Sequence, residues 1–163
     1  MGCDIHFVVE NKSKNDDIGW VGVYATSTAL AFSTYGPKYD GVDVHWLGKL
    51  KERDYAFFSR LAGVRGEGPD PEGLPEDMSG MARREVESDG DDGHSHTFMT
   101  LREFITRKIS EEPDIIKAVK RMTGDDPVLT FVKGTDITSD GDNYGGERLS
   151  LDDNTRVVIW FDN

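Results

Sequence analysis

The chain begins with the stretch MGCDIHFVVE at residues 1–10, and this stretch indicates the fold. Side chains of a β-strand point alternately to its two faces. An extended chain from residue 3 to residue 10 therefore places an unbroken apolar set on one face, formed by Cys3, Ile5, Phe7 and Val9. The other face carries Asp4, His6 and Glu10. We predict a strand here, with a face that packs and a face that carries polar chemistry.

Further strands are predicted along the chain. The polar run Asn11 to Gly19 indicates a turn, and Trp20 to Ala25 forms the second strand of a hairpin. Pro127 to Lys133 also has strand composition. The final stretch Arg156 to Asp162 is apolar on both faces, which is typical of a central strand. Strands therefore occur at both ends of the chain.

Three helices are predicted between these strands. The first falls within Arg53 to Gly63, where Tyr55, Phe58 and the pair at 61–62 recur at helical spacing and Gly63 is the expected end. The second begins with a capping box at residues 100–103 and continues through Phe104. The third follows Pro113. Residues 63–93 are rich in Gly, Pro and acidic residues, which indicates one long loop.

The predicted fold class is α+β. We expect a mixed, mostly antiparallel sheet that contains the N- and C-terminal strands, with about three helices packed on one face and long polar loops. A chain of 163 residues is most simply a single domain, residues 1–163.

Composition limits the classes of partner. The net charge is -12, so a duplex nucleic acid would be repelled. A basic protein surface or a small anion in a local basic pocket remains compatible with this charge. There is one cysteine, and no apolar run is long enough to span a membrane. We expect a cytoplasmic protein.

The candidate metal ligands form two short pairs, Asp4 with His6 and His94 with His96. Imidazole and carboxylate groups bind divalent metals such as Zn or Mn, and each pair can present two ligands from extended backbone. Asp92 could serve as a fifth ligand, as a hydrogen-bond partner of a ligand, or as a proton carrier. The alternative is that the first pair faces solvent and the second lies in a hydrophilic loop. The sequence leaves both open.

Three further residues are candidates for chemistry. His45 could act as a general acid or base, although a histidine between apolar residues is more often packed. Arg53 and Arg65 could bind a phosphate, and glycines near Arg65 would allow a ligand to approach closely. Ordinary ion pairing with the many carboxylates is the alternative for both arginines.

Two other features have simpler interpretations. Residues 136–147 partly fit a calcium-binding loop, but a polar hairpin loop fits their surroundings better. Cys3 lies on the opposite strand face from Asp4 and His6, so we expect a small packed residue rather than a reactive thiolate.

Several short blocks together resemble a known group of proteins. They are the start at residues 1–6, Arg53 to Gly66, Gly73 to Pro75, residues 92–96 and the ending at residues 160–163. The pattern resembles a family of small, largely uncharacterised proteins encoded by bacteriophages and prophages. The resemblance implies an accessory protein in the bacterial cytoplasm, and it transfers no activity and no residue role.

Two functions follow as hypotheses. The first is a metal-dependent hydrolase or phosphoesterase that acts on a phosphorylated small molecule or nucleotide, with metal, phosphate and proton roles as above. The second is a non-catalytic anti-defence protein that blocks a host bacterial protein or sequesters a signalling nucleotide. A structural virion component is a third option.

Overall fold

The computed structural model describes residues 2–25, 53–109 and 153–162. Within these ranges the elements, in chain order, are β1 (Asp4–Lys12), β2 (Trp20–Ala25), α1 (Tyr55–Ala62), α2 (Gly80–Asp89), β3 (His94–Thr100), α3 (Leu101–Ile109) and β4 (Thr155–Asp162). A 3-10 turn over Gly90–Asp92 joins α2 to β3. The predicted α+β class is confirmed.

The strands form one antiparallel sheet in the order β2-β1-β4-β3. The predicted hairpin is present, and β1 extends to Lys12, two residues beyond the predicted end. β4 lies between β1 and β3, and its residues 155–161 are all buried. The prediction that the apolar C-terminal stretch is a central strand is therefore confirmed.

The first face of the sheet carries the predicted apolar set of β1, which is buried throughout. Helices α1 and α3 cover this face. The Phe104 ring of α3 lies 5.7 Å from the Phe7 ring and 5.6 Å from the Phe57 ring, between ring centroids. Full burial of one large apolar side chain contributes about 1.5–3 kcal/mol. This cluster is the larger of the two apolar cores formed by the described residues.

Both predicted helix boundaries near this core are confirmed. The Asp54 side chain accepts a hydrogen bond from the Phe57 N–H at 3.1 Å, which caps the start of α1. Gly63 ends the helix in the left-handed region, at φ 66°, and its N–H donates to the Ser59 carbonyl. Thr100 Oγ1 caps α3 by accepting from the Glu103 N–H at 3.2 Å.

Helix α2 corrects two predictions. Residues 80–92 are helical, whereas we expected one loop over residues 63–93. Ser79 begins α2, with its hydroxyl accepting from the Ala82 N–H at 3.1 Å. Ala82 is the one buried residue of α2, and Met81 and Val86 are partly buried beside it, so the apolar side of the helix is narrow. The helix packs on the second face of the sheet, so the expectation of helices on one face is also wrong.

Polar groups fix the segment before α2 to the sheet. Glu10 is fully buried, and its Oε2 accepts from Arg156 Nε at 2.7 Å. Its Oε1 accepts from the backbone N–H of Ser79 at 2.6 Å. Asp77 accepts from Arg156 Nη1 at 2.8 Å and from the Trp20 indole at 3.0 Å. The start of α2 is thus held by a buried charge pair.

Some predicted elements lie outside the described residues: the helix after Pro113, the strand from Pro127 to Lys133 and the loop at 136–147. In the parts of the chain that the structure describes, no helix has the length and apolar character needed to cross a membrane.

Candidate functional site at one end of the sheet

The two histidine pairs lie at the same end of the sheet. Asp4, at the start of β1, is paired with Asp162 at the end of β4. His94, at the start of β3, is paired with Phe161, the neighbour of Asp162. Because β4 is hydrogen-bonded to both other strands, it brings these distant segments together. We call the end of the sheet formed by Asp4, His94 and Asp162 the site end.

A bulge in β3 separates the two imidazoles of the second pair. His94 is paired with Phe161 and Thr97 with Ile159, so three steps along β3 match two steps along β4. Ser95 occupies the bulge with φ 50°, in the left-handed region. His94 therefore shares the first face with Phe161, with a ring-centroid separation of 6.3 Å. His96 points to the second face.

The second face holds His6 beside two carboxylates. Its ring stacks on Trp160, with 5.7 Å between centroids and 16° between planes. Nε2 of His6 lies 3.1 Å from Asp162 Oδ2, and Nδ1 lies 3.8 Å from Asp89 Oδ2. Nε2 is buried and has no hydrogen bond of good geometry in the described residues, so the contact with Asp162 is a close ion-pair distance only. The Trp160 indole N–H donates to Asp89.

His96 is the other imidazole on this face. A Cβ on Gly93 would lie 3.5 Å from its Nε2 and 3.6 Å from Cδ1 of Trp160, so both rings border Gly93. Burial lowers the pKa of His96, and the neighbouring His94 lowers it further. The surroundings of His96 therefore favour its neutral form.

The predicted metal ligands are brought to one end but not to one centre. His94 faces the opposite side of the sheet from His6 and His96. Among the described residues, no group of three or more His, Cys, Asp or Glu side chains could hold a metal ion. The Zn or Mn site with Asp4, His6, His94 and His96 stays a prediction for which the described residues provide no common centre.

The first face instead pairs His94 with Cys3. The thiol Sγ lies 3.9 Å from Nε2 of His94, and Cys3 is 1 % exposed. Nδ1 of His94 lies 2.9 Å from the Ser95 hydroxyl oxygen. The backbone N–H of Cys3 donates to the Tyr55 hydroxyl at 3.3 Å, which ties the start of the chain to α1. The His94 imidazole thus contacts the Cys3 thiol through one ring nitrogen and the Ser95 hydroxyl through the other.

Burial determines the resting state of this thiol. Desolvation raises the pKa of Cys3, because a thiolate is poorly stabilised away from water. The positive charge of Arg65 opposes this increase, while Asp162 and Asp4 add to it. The thiol is therefore protonated near neutral pH and needs a base to become a nucleophile.

Arg65 lies in a tightly packed loop beside this pair. Its φ is 55°, and its guanidinium carbon lies 4.7 Å from the centre of the Tyr55 ring. A Cβ on Gly66 would lie 2.5 Å from Ser59 Oγ, and one on Gly68 would overlap the Ser59 carbonyl oxygen. These glycines allow the loop to approach α1 closely, and their role in admitting a ligand stays a prediction.

The remaining predicted residues have separate positions. Arg53 forms an ion pair with Asp4, at 3.2 Å between Nε and Oδ1, and this contact raises the pKa of Arg53. Its phosphate-binding role stays a prediction. Asp92 is exposed on the 3-10 turn, whereas Asp89 is the nearby carboxylate that contacts His6. His45 lies outside the described residues.

Sequence reasoning missed several members of this site. Cys3 was placed on the correct face. Its contact with His94 depends on the bulge at Ser95, which no sequence pattern predicts. Asp162 was recognised only as the end of a strand, since its position beside Asp4 depends on strand register. Positive φ at two non-glycine residues cannot be read from the sequence either.

Comparison with protein-family models, with curated proteins and with solved structures found no match to this chain. The resemblance to a phage family therefore stays a prediction.

Proposed function

We propose that the protein is a hydrolase that acts on a small phosphorylated molecule, with its reactive centre on the first face of the site end. His94 is the proton-transferring group. Arg65 supplies positive charge for the anionic substrate. The observation that carries the proposal is the series formed by Cys3, His94 and Ser95, in which an imidazole lies between a thiol and a hydroxyl.

The contacts of His94 support an acid–base role. If Nδ1 holds the ring proton and donates to the Ser95 hydroxyl, Nε2 is left as an acceptor directed at the neighbouring thiol. A third group that orients a base in this way is typical of sites that activate a nucleophile. The ring can then accept a proton early in the reaction and return it to the leaving group.

Backbone strain at the same place also supports the proposal. Among the described residues, Arg65 and Ser95 are the two non-glycine residues with positive φ. Such conformations cost roughly 1–3 kcal/mol each and tend to occur at functional sites. Ser95 contacts the imidazole, and Arg65 acts on the thiol through its charge. Both strained residues therefore border the pair formed by Cys3 and His94.

Charge supports a small anionic substrate rather than a polymer. The chain carries a net charge of -12, so a long polyanion would meet general repulsion. One guanidinium beside the reactive pair can still attract a single phosphate at short range, where local charge outweighs the screened field of distant carboxylates. Arg65 is exposed, which allows it to meet such a ligand.

The experiment is a hydrolysis assay on the whole 163-residue chain, without a His tag. It follows alcohol release from a phosphate monoester and from a phosphate diester, and phosphate release from a nucleoside triphosphate. We expect wild type to hydrolyse at least one of them. The variant His94→Gln should lose about 100-fold to 10,000-fold in kcat/KM. His6→Gln is the matched control, because it removes an imidazole from the opposite face.

Three results would contradict the proposal. Absence of turnover on all three esters would do so, and ligand binding without turnover in calorimetry would favour a non-catalytic binding protein. Equal turnover in wild type and His94→Gln would also contradict it. The third result comes from metal analysis of the same samples. A stoichiometric metal in wild type that is lost in both His94→Gln and His6→Gln would favour the metal-dependent hydrolase instead.

A further inference from the structure

We infer that Cys3 is the nucleophile of this site and forms a covalent intermediate with its substrate. The inference rests on the proposed hydrolase function and adds the residue that attacks. It departs from the expectation that Cys3 is only a small packed side chain. Three observations carry it: the partner of the thiol, the way the imidazole is held, and the way the start of the chain is fixed.

The group that contacts the thiol is an imidazole, and the contact is made by a ring nitrogen that can accept a proton. Nε2 of His94 lies 3.9 Å from Sγ, within the range of a weak thiol hydrogen bond. The Ser95 hydroxyl occupies the other ring nitrogen at 2.9 Å. This is the arrangement of nucleophile, base and orienting group that activates a thiol whose own pKa is unfavourable.

The backbone around Cys3 is held in place, as a nucleophile requires. Its N–H donates to Tyr55 OH, and the next N–H, of Asp4, donates to Asp162 Oδ1 at 3.1 Å. Asp4 is in turn bound to Arg53. The start of the chain, which would otherwise fray, is thus fixed to α1 and to the end of β4.

The charges around the thiol are mixed in sign. Arg65 and Arg53 favour the thiolate, and Asp162 and Asp4 disfavour it. Burial has the largest effect, so the pKa of Cys3 is raised and the resting thiol is neutral. A neutral thiol avoids a buried charge, and the charge develops only when the substrate phosphorus is in place.

Apart from the phosphate ester, the reaction needs only water. The Cys3 thiol gives its proton to Nε2 of His94 as the S–P bond forms and the ester P–O bond breaks. The leaving oxygen takes that proton from the imidazolium. Water then attacks phosphorus and gives a proton to His94 as the S–P bond breaks. The sulfur regains that proton, and inorganic phosphate is released.

The test uses iodoacetamide on the native full-length chain, followed by intact mass. Cys3 is the only cysteine of the chain, so every thiol adduct reports on it. We expect wild type to alkylate at least about tenfold faster than His94→Gln at neutral pH, because the base is needed to form the thiolate. The His6→Gln control should match wild type to within about twofold, because its imidazole lies on the opposite face.

A second variant protects the test against misfolding. An unfolded His94→Gln protein would expose Cys3 and alkylate quickly, so far-UV circular dichroism is recorded on each sample. Ser95→Gly keeps the imidazole and suits the positive φ, while it removes the orienting hydroxyl. Its rate should fall between those of wild type and His94→Gln.

The possible outcomes test the role of Cys3 separately from the proposed hydrolase activity. Equal rates in folded wild type and His94→Gln overturn the inference. A native thiol that reacts only after unfolding in urea also overturns it, because Cys3 is then a packed residue. If Cys3→Ser retains full phosphate release, the hydrolase stands and the nucleophile is wrong. His94-dependent alkylation without hydrolysis of any ester leaves the reactive thiol standing and rejects the substrate class.

Discussion

The two faces of the sheet are closed by different kinds of contact. The face under α1 and α3 is packed by aromatic rings, such as Phe58 against Phe161 at 5.1 Å between centroids. The face under α2 buries a single helix residue, Ala82, and depends on the buried pair of Glu10 and Arg156. Apolar packing tolerates small shifts, whereas a charge pair fixes one geometry.

His6 and His94 lie on opposite faces at the site end, in different surroundings. His6 stacks on Trp160 and has carboxylates near both of its ring nitrogens. His94 instead has a thiol on one side and a hydroxyl on the other. The carboxylates beside His6 suit a structural role, in which His6 connects β1 to β4 and α2. The thiol beside His94 suits a role in proton transfer. Three predictions test this contrast.

The largest effect is expected from the buried charge pair. Arg156→Met leaves the fully buried Glu10 carboxylate without its cation, so we expect a loss of about 3–5 kcal/mol in the free energy of unfolding. The matched control is Arg53→Met, which breaks the exposed ion pair with Asp4 and should lower the stability much less, because water screens that pair. Urea denaturation measures both. Similar losses in the two variants would show that the polar face is not held by this pair.

A smaller effect is expected at the loop that carries Arg65. In Gly68→Ala the new methyl group meets the Ser59 carbonyl, so the loop must move, and we expect a loss of about 1–3 kcal/mol. Phosphate release should fall as well, although Arg65 itself is unchanged. Gly80→Ala on the other face is the control, because its Cβ meets only the end of the Arg84 side chain at 3.6 Å. Unfolding curves and the hydrolysis assay together check this prediction, and wild-type behaviour of Gly68→Ala would contradict it.

The smallest effect is a pH dependence on the second face. Because the pKa of His96 is lowered in the folded protein, the unfolded chain binds the proton more readily, and stability falls as the pH drops below about 6.5. His96→Gln removes this contribution. Urea midpoints at about pH 7.5 and about pH 5.5 should therefore differ less in His96→Gln than in wild type. An unchanged difference would mean that His96 is not the group that titrates.

The parts of the fold that could be predicted depend on local patterns. The alternation in β1 identified its buried face, and the all-apolar β4 identified a central strand. Gly63 and Thr100 marked helix ends because capping is a contact between near neighbours in sequence. Helix α2 was not predicted because its apolar side is limited to Met81, Ala82 and Val86. Its start also depends on the contact between Ser79 and Glu10, which are far apart in sequence.

The candidate site was predictable only in part. The two ligand-like pairs lie at one end of the sheet, because both occur where strands begin. Their mutual orientation was not accessible, since one extra residue in β3 moves His94 to the other face. The thiol was therefore dismissed, although it is the group that His94 contacts.

The sequence by itself determined which strand faces are apolar, where two helices begin or end, and which side chains could do chemistry. Tertiary structure alone decided which of those side chains meet, because strand register and the bulge at Ser95 arise from pairing between segments more than fifty residues apart. Hydrophobic alternation is a local property of the chain, whereas the contact of Cys3 with His94 exists only once β4 has joined β1 to β3.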